Sequence, residues 1–216
     1  MKKGLSELVF VIDKSGSMFS LASDTIGGFN ALLKKQKEED GEAYVTTILF
    51  DSSYTVFQEH LSITHARFMT EIDYIPGGST AMLDAVGYAI DSVGKRLSET
   101  AEEERPENVV VTIITDGKEN SSMYYTREMV KERIKHQQEK YSWKFVFLGA
   151  NIDAEFEADE LGIPKMFSKN YTNSKAGLQS AYEGMSKAMS VARKRGSYKS
   201  EEEFEMAVCD SLGEVK

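Results

Sequence analysis

Leu8-Val-Phe-Val-Ile-Asp13-Lys-Ser15-Gly-Ser17-Met18 is the stretch that decides how the chain is read. Its unbroken apolar run predicts a strand over residues 8–12 that is covered on both faces, as in a parallel sheet. The run stops on an aspartate and turns through two serines, residue types that bond to their own backbone in turns. A second apolar run, Val109-Val-Val-Thr-Ile-Ile-Thr115, also stops on an aspartate, Asp116, followed by Gly117. Between the two lies Gly77-Gly-Ser-Thr80, immediately before Leu83, Val86, Ile90, Val93 and Leu97, whose 3, 4, 3, 4 spacing is that of an amphipathic helix. Three loops therefore each offer oxygen atoms at the end of a strand or the start of a helix.

The rest of the chain alternates in the same way. A helix is expected near 21–38, with Ile26, Phe29 and Leu33 at helical spacing. Residues 44–50 and 54–59 flank the polar turn Asp51-Ser-Ser53 and read as a hairpin. Residues 99–108 form an acidic, solvated loop. A helix near 125–140, a strand at 144–148 and a short helix capped by Asp153 follow, the last stopped by Gly162-Ile-Pro164. Residues 166–168 are read as a last edge strand and 173–195 as a long helix. Ser200-Glu-Glu-Glu203 fits a capping box, with Phe204, Val208 and Leu212 as the apolar stripe behind it. This order predicts an α/β domain: a doubly wound, mostly parallel six-stranded sheet with one antiparallel edge strand and helices on both faces. Residues 1–196 would form that domain and 197–216 a C-terminal helical extension.

Composition narrows the function. With 216 residues, 41% of them hydrophobic, the chain can bury one sizeable core. A net charge of −9 and a pI near 5.0 argue against nucleic-acid binding, which needs a basic face. The basic run Arg193-Lys-Arg195 is read instead as a helix end complementing the helix dipole ahead of a Gly196 stop. A single cysteine, Cys209, and three scattered histidines (His60, His65, His136) exclude a disulfide framework and make a zinc site improbable. No apolar run reaches membrane-spanning length, and the run after Met1-Lys-Lys-Gly is too short for a signal peptide core, so a soluble cytoplasmic protein without membrane partners is expected.

The three loops resemble the metal-ion-dependent adhesion site of the von Willebrand factor A family. Asp13-x-Ser15-x-Ser17 is similar to its first part, Thr80 in Gly-Gly-Ser-Thr to its second, and Asp116 in Thr-Asp-Gly to its third. The resemblance runs from about residue 5 to 195 and looks closest to stand-alone bacterial or phage members. It implies a Rossmann-like fold, with Ser15, Ser17 and Thr80 binding a cation through hydroxyls and Asp13 and Asp116 acting directly or through water. Ser79 adjoins Thr80 and is the alternative middle ligand; Gly-Gly-x-Thr followed by Met82-Leu-Asp84-Ala resembles the family's spacing, which implies Thr80. The chemistry of the residues leads the same way. Oxygen donors with no nitrogen or sulfur favour Mg²⁺, with Mn²⁺ or Ca²⁺ as substitutes. Two aspartates only neutralise a divalent ion, so an open coordination position should attract an anion, here a Glu or Asp carboxylate of a partner protein.

A Mg²⁺-dependent phosphohydrolase or phosphotransferase is the rival reading, with Asp13 as nucleophile. Enzymes resembling the haloacid dehalogenase family want a second aspartate two residues on, where this chain has Ser15. Gly-x-x-x-x-Gly-Lys, Gly-x-Gly-x-x-Gly and Gly-x-Ser-x-Gly motifs are absent, and no histidine falls in the three loops, so no enzyme is expected. A scaffold with a vestigial metal site is a third reading. Met18, Phe19, Met82, Met123, Tyr124 and Tyr125 are candidates for an apolar rim, with one of the two adjacent tyrosines facing inward. The helix at 173–195 presents Ala181, Met185, Ala188, Met189 and Ala192, a soft face that leaves open a static strut or a sliding element. The family resemblance implies the second, since the last helix of such domains shifts when the metal takes an acidic ligand.

Overall fold

The computed structural model describes residues 1–194, 198 and 200–213. Strands β1 (Lys2–Asp13), β2 (Glu42–Phe50), β3 (Tyr54–Ser62), β4 (Pro106–Thr115), β5 (Lys144–Gly149) and β6 (Ser168–Asn170) form one sheet. Their order is β3-β2-β1-β4-β5-β6, all neighbours parallel except the β2–β3 hairpin. The expected sheet, with its antiparallel edge, is the observed one. Helices α1 (Ala22–Glu38), α2 (Met82–Glu99), α3 (Arg127–Tyr141), α4 (Ala154–Glu160), α5 (Lys175–Arg193) and α6 (Glu201–Leu212) complete the chain.

Side-chain alternation along β1 explains its unbroken apolar run. Phe10 meets Phe29 of α1 edge-to-face at 5.4 Å, whereas Glu7, an odd number of residues away, meets Arg96 of α2. The strand is thus covered on both faces: α1 packs with α5 on one side, α2 with α3 on the other. Four helices start on side-chain caps. Thr126, Asp153, Ser174 and Ser200 accept from the N–H groups of Met129, Phe156, Gly177 and Glu203.

Several boundaries differ from the sequence reading. β1 is longer at its start because polar residues there pair with β4, through a register shift between Lys2 and Ser6. β4 begins at Pro106, inside the stretch read as a loop. The last edge strand lies two residues later than expected, because Phe167 N–H bonds back to Pro164 and turns residues 165–167 into a single 3-10 turn. Arg193 also departs from its assigned part. It is buried and donates to the carbonyls of Gln36, Glu39, Asp40 and Gly41, finishing α1 rather than its own helix. Gln36 returns bonds to Ser186 and Ser190, so α5 is tied to the end of α1. Arg195, the Gly196 stop and the proposed boundary at 196/197 lie outside the described residues.

Candidate metal site

Winding reverses between β1 and β4, and the loops leaving these two strands converge at that point, where open α/β sheets place their ligands. Asp13 is fully buried. One of its oxygens accepts from Ser15 N–H and the other from the Thr115 hydroxyl, each at 2.6 Å. The Ser15 and Ser17 hydroxyls lie 3.1 Å apart, and Ser17 donates to Oδ1 of Asp116. Thr80 joins from the third loop: a Cβ placed on Gly117 would stand 3.4 Å from its Oγ1 and 3.8 Å from Ser17 Oγ. All five residues singled out in the sequence are therefore neighbours. Ser79 is exposed and its N–H bonds to Ser52, whereas Thr80 is buried.

Residues to which the sequence reading gave no bonding role hold these loops together. Gly16 N–H bonds to the Gly78 carbonyl, and Gly77 N–H to Lys14. Gly78 sits at φ +67°, and a Cβ there would strike Ser52 Oγ at 2.5 Å, so the position requires glycine. Asn120 grips Thr80 at both backbone groups, accepting from its N–H at 2.9 Å and donating to its carbonyl at 3.0 Å. Glu119 accepts from Leu83 N–H and Ser122 Oγ from Asp84 N–H, and Asp84 in return accepts from the N–H groups of Met123, Tyr124 and Tyr125. The first turn of α2 and the loop after β4 thus cap each other. Below, Tyr74 donates to the Asp13 carbonyl and Tyr171 to that of Thr115. Burial pushes both phenols well above their ordinary range, so they stay neutral donors. Asp84 enters the sequence reading only as part of the run after Thr80, and its partners some forty residues away leave no local signal.

Electrostatically the cluster is unbalanced. Burial raises the Asp13 carboxyl, against hydrogen bonds from Thr115 and Ser15, and the Asp116 charge raises it further. Burial likewise raises Asp116, against the bond from Ser17. Among the described residues neither aspartate forms an ion pair; Lys14, between them and β2, is committed to Asp51. Oδ2 of Asp116 is buried with no hydrogen-bond partner among the described residues, a costly condition for a carboxylate oxygen. The N–H groups of Leu83 and Asp84 at the start of α2 are occupied by Glu119 and Ser122, so they add little positive potential to the cluster. Two desolvated carboxylates, one orphaned oxygen and three hydroxyls fit a hard divalent cation.

Half of the expected rim faces solvent. Phe19, Met123 and Tyr124 are exposed, but Met18 and Met82 are core. Tyr125 is the inward member of its pair, lying against Gly87 and donating to Asp91. The histidines sit elsewhere: His60 beside Glu7, His65 after β3 and His136 on α3. No group of three or more His, Cys, Asp or Glu gathers as metal ligands among the described residues, so the hydroxyls are essential to any site here. No described helix is long and apolar enough to cross a membrane.

Comparison with known proteins agrees with this architecture. Proximal thread matrix protein 1 from the mussel byssus is similar over 88% of this chain and 47% of its own, at 16% identity and a TM-score of 0.58. A second structure of that protein, described as having a zinc-occupied MIDAS motif, is 18% identical with a TM-score of 0.58 and covers 87% and 46%. Manganese-loaded TRAP protein from Plasmodium vivax is 18% identical with a TM-score of 0.56, over 80% of this chain and 70% of that one. The chain spans about half the length of the byssus protein. No curated protein matches it significantly. The von Willebrand factor type A domain profile matches residues 7–184, and with most of the chain inside that match the protein belongs to the von Willebrand factor type A domain family.

Proposed function

We propose that the chain is a metal-dependent protein–protein interaction module. Asp13, Ser15, Ser17, Thr80 and Asp116 would hold one divalent cation, Mg²⁺ by preference, with Mn²⁺ or Ca²⁺ as substitutes. When bound, the ion supplies an open coordination position for a Glu or Asp carboxylate of a partner protein. The observation that carries this reading is the pair of buried aspartates without an internal cation, one with an orphaned oxygen. The manganese and zinc named for the structural relatives support a divalent ion, and the all-oxygen donor set favours magnesium over zinc.

A phosphotransfer enzyme fits the residues less well. Such chemistry needs a nucleophile paired with a base, and no histidine lies in the cluster. Metal-dependent turnover in a phosphoester panel, lost on Asp13→Asn, would replace the binding reading with an enzymatic one.

The direct test is a thermal melt with increasing Mg²⁺, since an ion that binds only the folded state raises stability by mass action. Wild type should shift and Asp13→Ala should not. Equal shifts in both would refute the ligand assignment, and no shift with any divalent ion would leave a scaffold. A pull-down with and without chelator, with Asp13→Ala as control, then tests for the partner.

A further inference from the structure

We propose that the surface around this site selects one acidic residue flanked by large apolar side chains on a single partner segment, an inference that rests on the metal reading above. Phe19, Ile75, Met123 and Tyr124 are 76%, 66%, 83% and 76% exposed, although each lies on a loop that carries or adjoins a proposed ligand. Phe19 is two residues beyond Ser17, and Ile75 is five before Thr80. Met123 and Tyr124 sit on the loop that caps the helix beginning just after Thr80.

Each of these side chains is held outward by a buried or bonded neighbour. Phe19 stands on a 3-10 turn whose Met18 and Leu21 are buried. Ile75 follows Tyr74, which is buried and bonded to Asp13. The Met123 and Tyr124 backbones are fixed by Asp84, while Tyr125 is tucked against the adjoining helix. Their backbones are therefore held before any partner arrives, which limits the ordering cost of association to the side chains. Aromatics and methionine are enriched at protein interfaces, and tyrosine is among the residue types that contribute most at their centres.

Charge decides which acidic segment fits. The chain carries −9 overall, and Lys14 at the site is paired with Asp51. Lys118 is the one lysine in the loop after β4, too little to draw a polyacidic run against the net repulsion. A lone carboxylate on the ion, with apolar residues covering Phe19, Ile75, Met123 and Tyr124, satisfies both features.

The test is selection of a random peptide library on the full chain in Mg²⁺, with elution by chelator, alongside a melt in Mg²⁺. Recovered peptides should carry an Asp or Glu with a large apolar residue within two positions. Phe19→Ser combined with Tyr124→Ser should weaken them about tenfold, as loss of interface anchors does. Met123→Ser repeats the measurement should the double variant fail to fold. Peptides with polyacidic or polar flanks, or affinities unchanged in the variants, would overturn the inference and leave the metal reading intact. Recovery of no Mg²⁺-dependent peptide by a protein whose melt shifts with Mg²⁺ would overturn it equally. A melt that does not respond to the ion would refute the reading beneath it.

Discussion

Two carboxylates on one strand have opposite surroundings. Glu7 and Asp13 lie six residues apart on β1, on the same face, and both are 0% exposed. Glu7 is answered within the chain: Arg96 donates at 2.8 Å, Thr46 at 3.1 Å, and His60 Nδ1 lies 3.1 Å away. Asp13 receives only neutral donors, Ser15 N–H and the Thr115 hydroxyl, and the Asp116 charge pushes its carboxyl further up. Burial of a carboxylate therefore does not by itself mark a site. What separates the two is where the countercharge comes from: a helix of the same domain for Glu7 and, on the proposed function, an ion from solution for Asp13.

The largest effect is expected where the internal pair is broken. Arg96→Ala leaves Glu7 buried without its principal cation, and removing one partner of a buried pair costs about 3–5 kcal/mol. Urea unfolding should report a loss of that order, the same with and without Mg²⁺. A loss below about 1 kcal/mol, the range of exposed pairs, would mean that Glu7 does not depend on Arg96 and would remove the contrast with Asp13.

Next in size is the ion itself. At about a hundredfold excess over its dissociation constant, Mg²⁺ should stabilise wild type by about 2.7 kcal/mol. Asp13→Asn should abolish that gain and, in chelator, act in the reverse direction. Replacing a buried carboxylate that faces a second one removes desolvation cost and repulsion, so the metal-free variant should be more stable by about 1 kcal/mol, or about 3 °C at this chain length. The hydrogen bonds can survive, because the Thr115 hydroxyl can turn its proton to the Gly117 carbonyl, 3.0 Å away, and accept from the new amide. A metal-free Asn variant that melts below wild type would show that Asp13 is structural, as Glu7 is.

How far each of these regions was legible in the sequence follows from the range of the interactions. Residues 8–12 and 109–115 announced their strands because burial on both faces writes an apolar run, and Thr80 followed from the family resemblance of the run Gly77-Gly-Ser-Thr80. Glu7 gave no strand signal, since its partners Arg96 and His60 are 89 and 53 residues away. Separations of 36 to 41 residues likewise hid the bonds by which Asp84, Glu119 and Asn120 tie the loops to one another. Exposure was the least readable property of all. Met18 and Phe19 are adjacent and both apolar, yet the 3-10 turn buries one and presents the other. The β6 boundary slipped for a related reason: one backbone bond from Phe167 to Pro164 displaced the strand.

The smallest effect, and the sharpest on the Glu7 side, concerns His60. It is a non-glycine residue in the left-handed region at φ +47°, on the strand β3 where the pairing with β2 shifts register. Its ring stacks on Tyr44 at 3.9 Å and is itself partly exposed, while Glu7 beneath it is buried. His60→Asn keeps a residue that tolerates this backbone, so the change isolates the ring stacking and the contact to Glu7 from strain. Such a cross-strand aromatic contact is worth about 0.2–1 kcal/mol, and the loss in urea unfolding should fall in that range. If Arg96 supplies the countercharge for Glu7, His60→Asn and Arg96→Ala should differ several-fold in cost. Equal costs would mean that Glu7 is neutralised by both groups acting as one network, with each removal leaving the same buried charge exposed to the interior. In that case the two carboxylates of β1 would still differ in the source of their countercharge, but Glu7 would be held by a three-element lock across β1, β3 and α2 instead of a single pair.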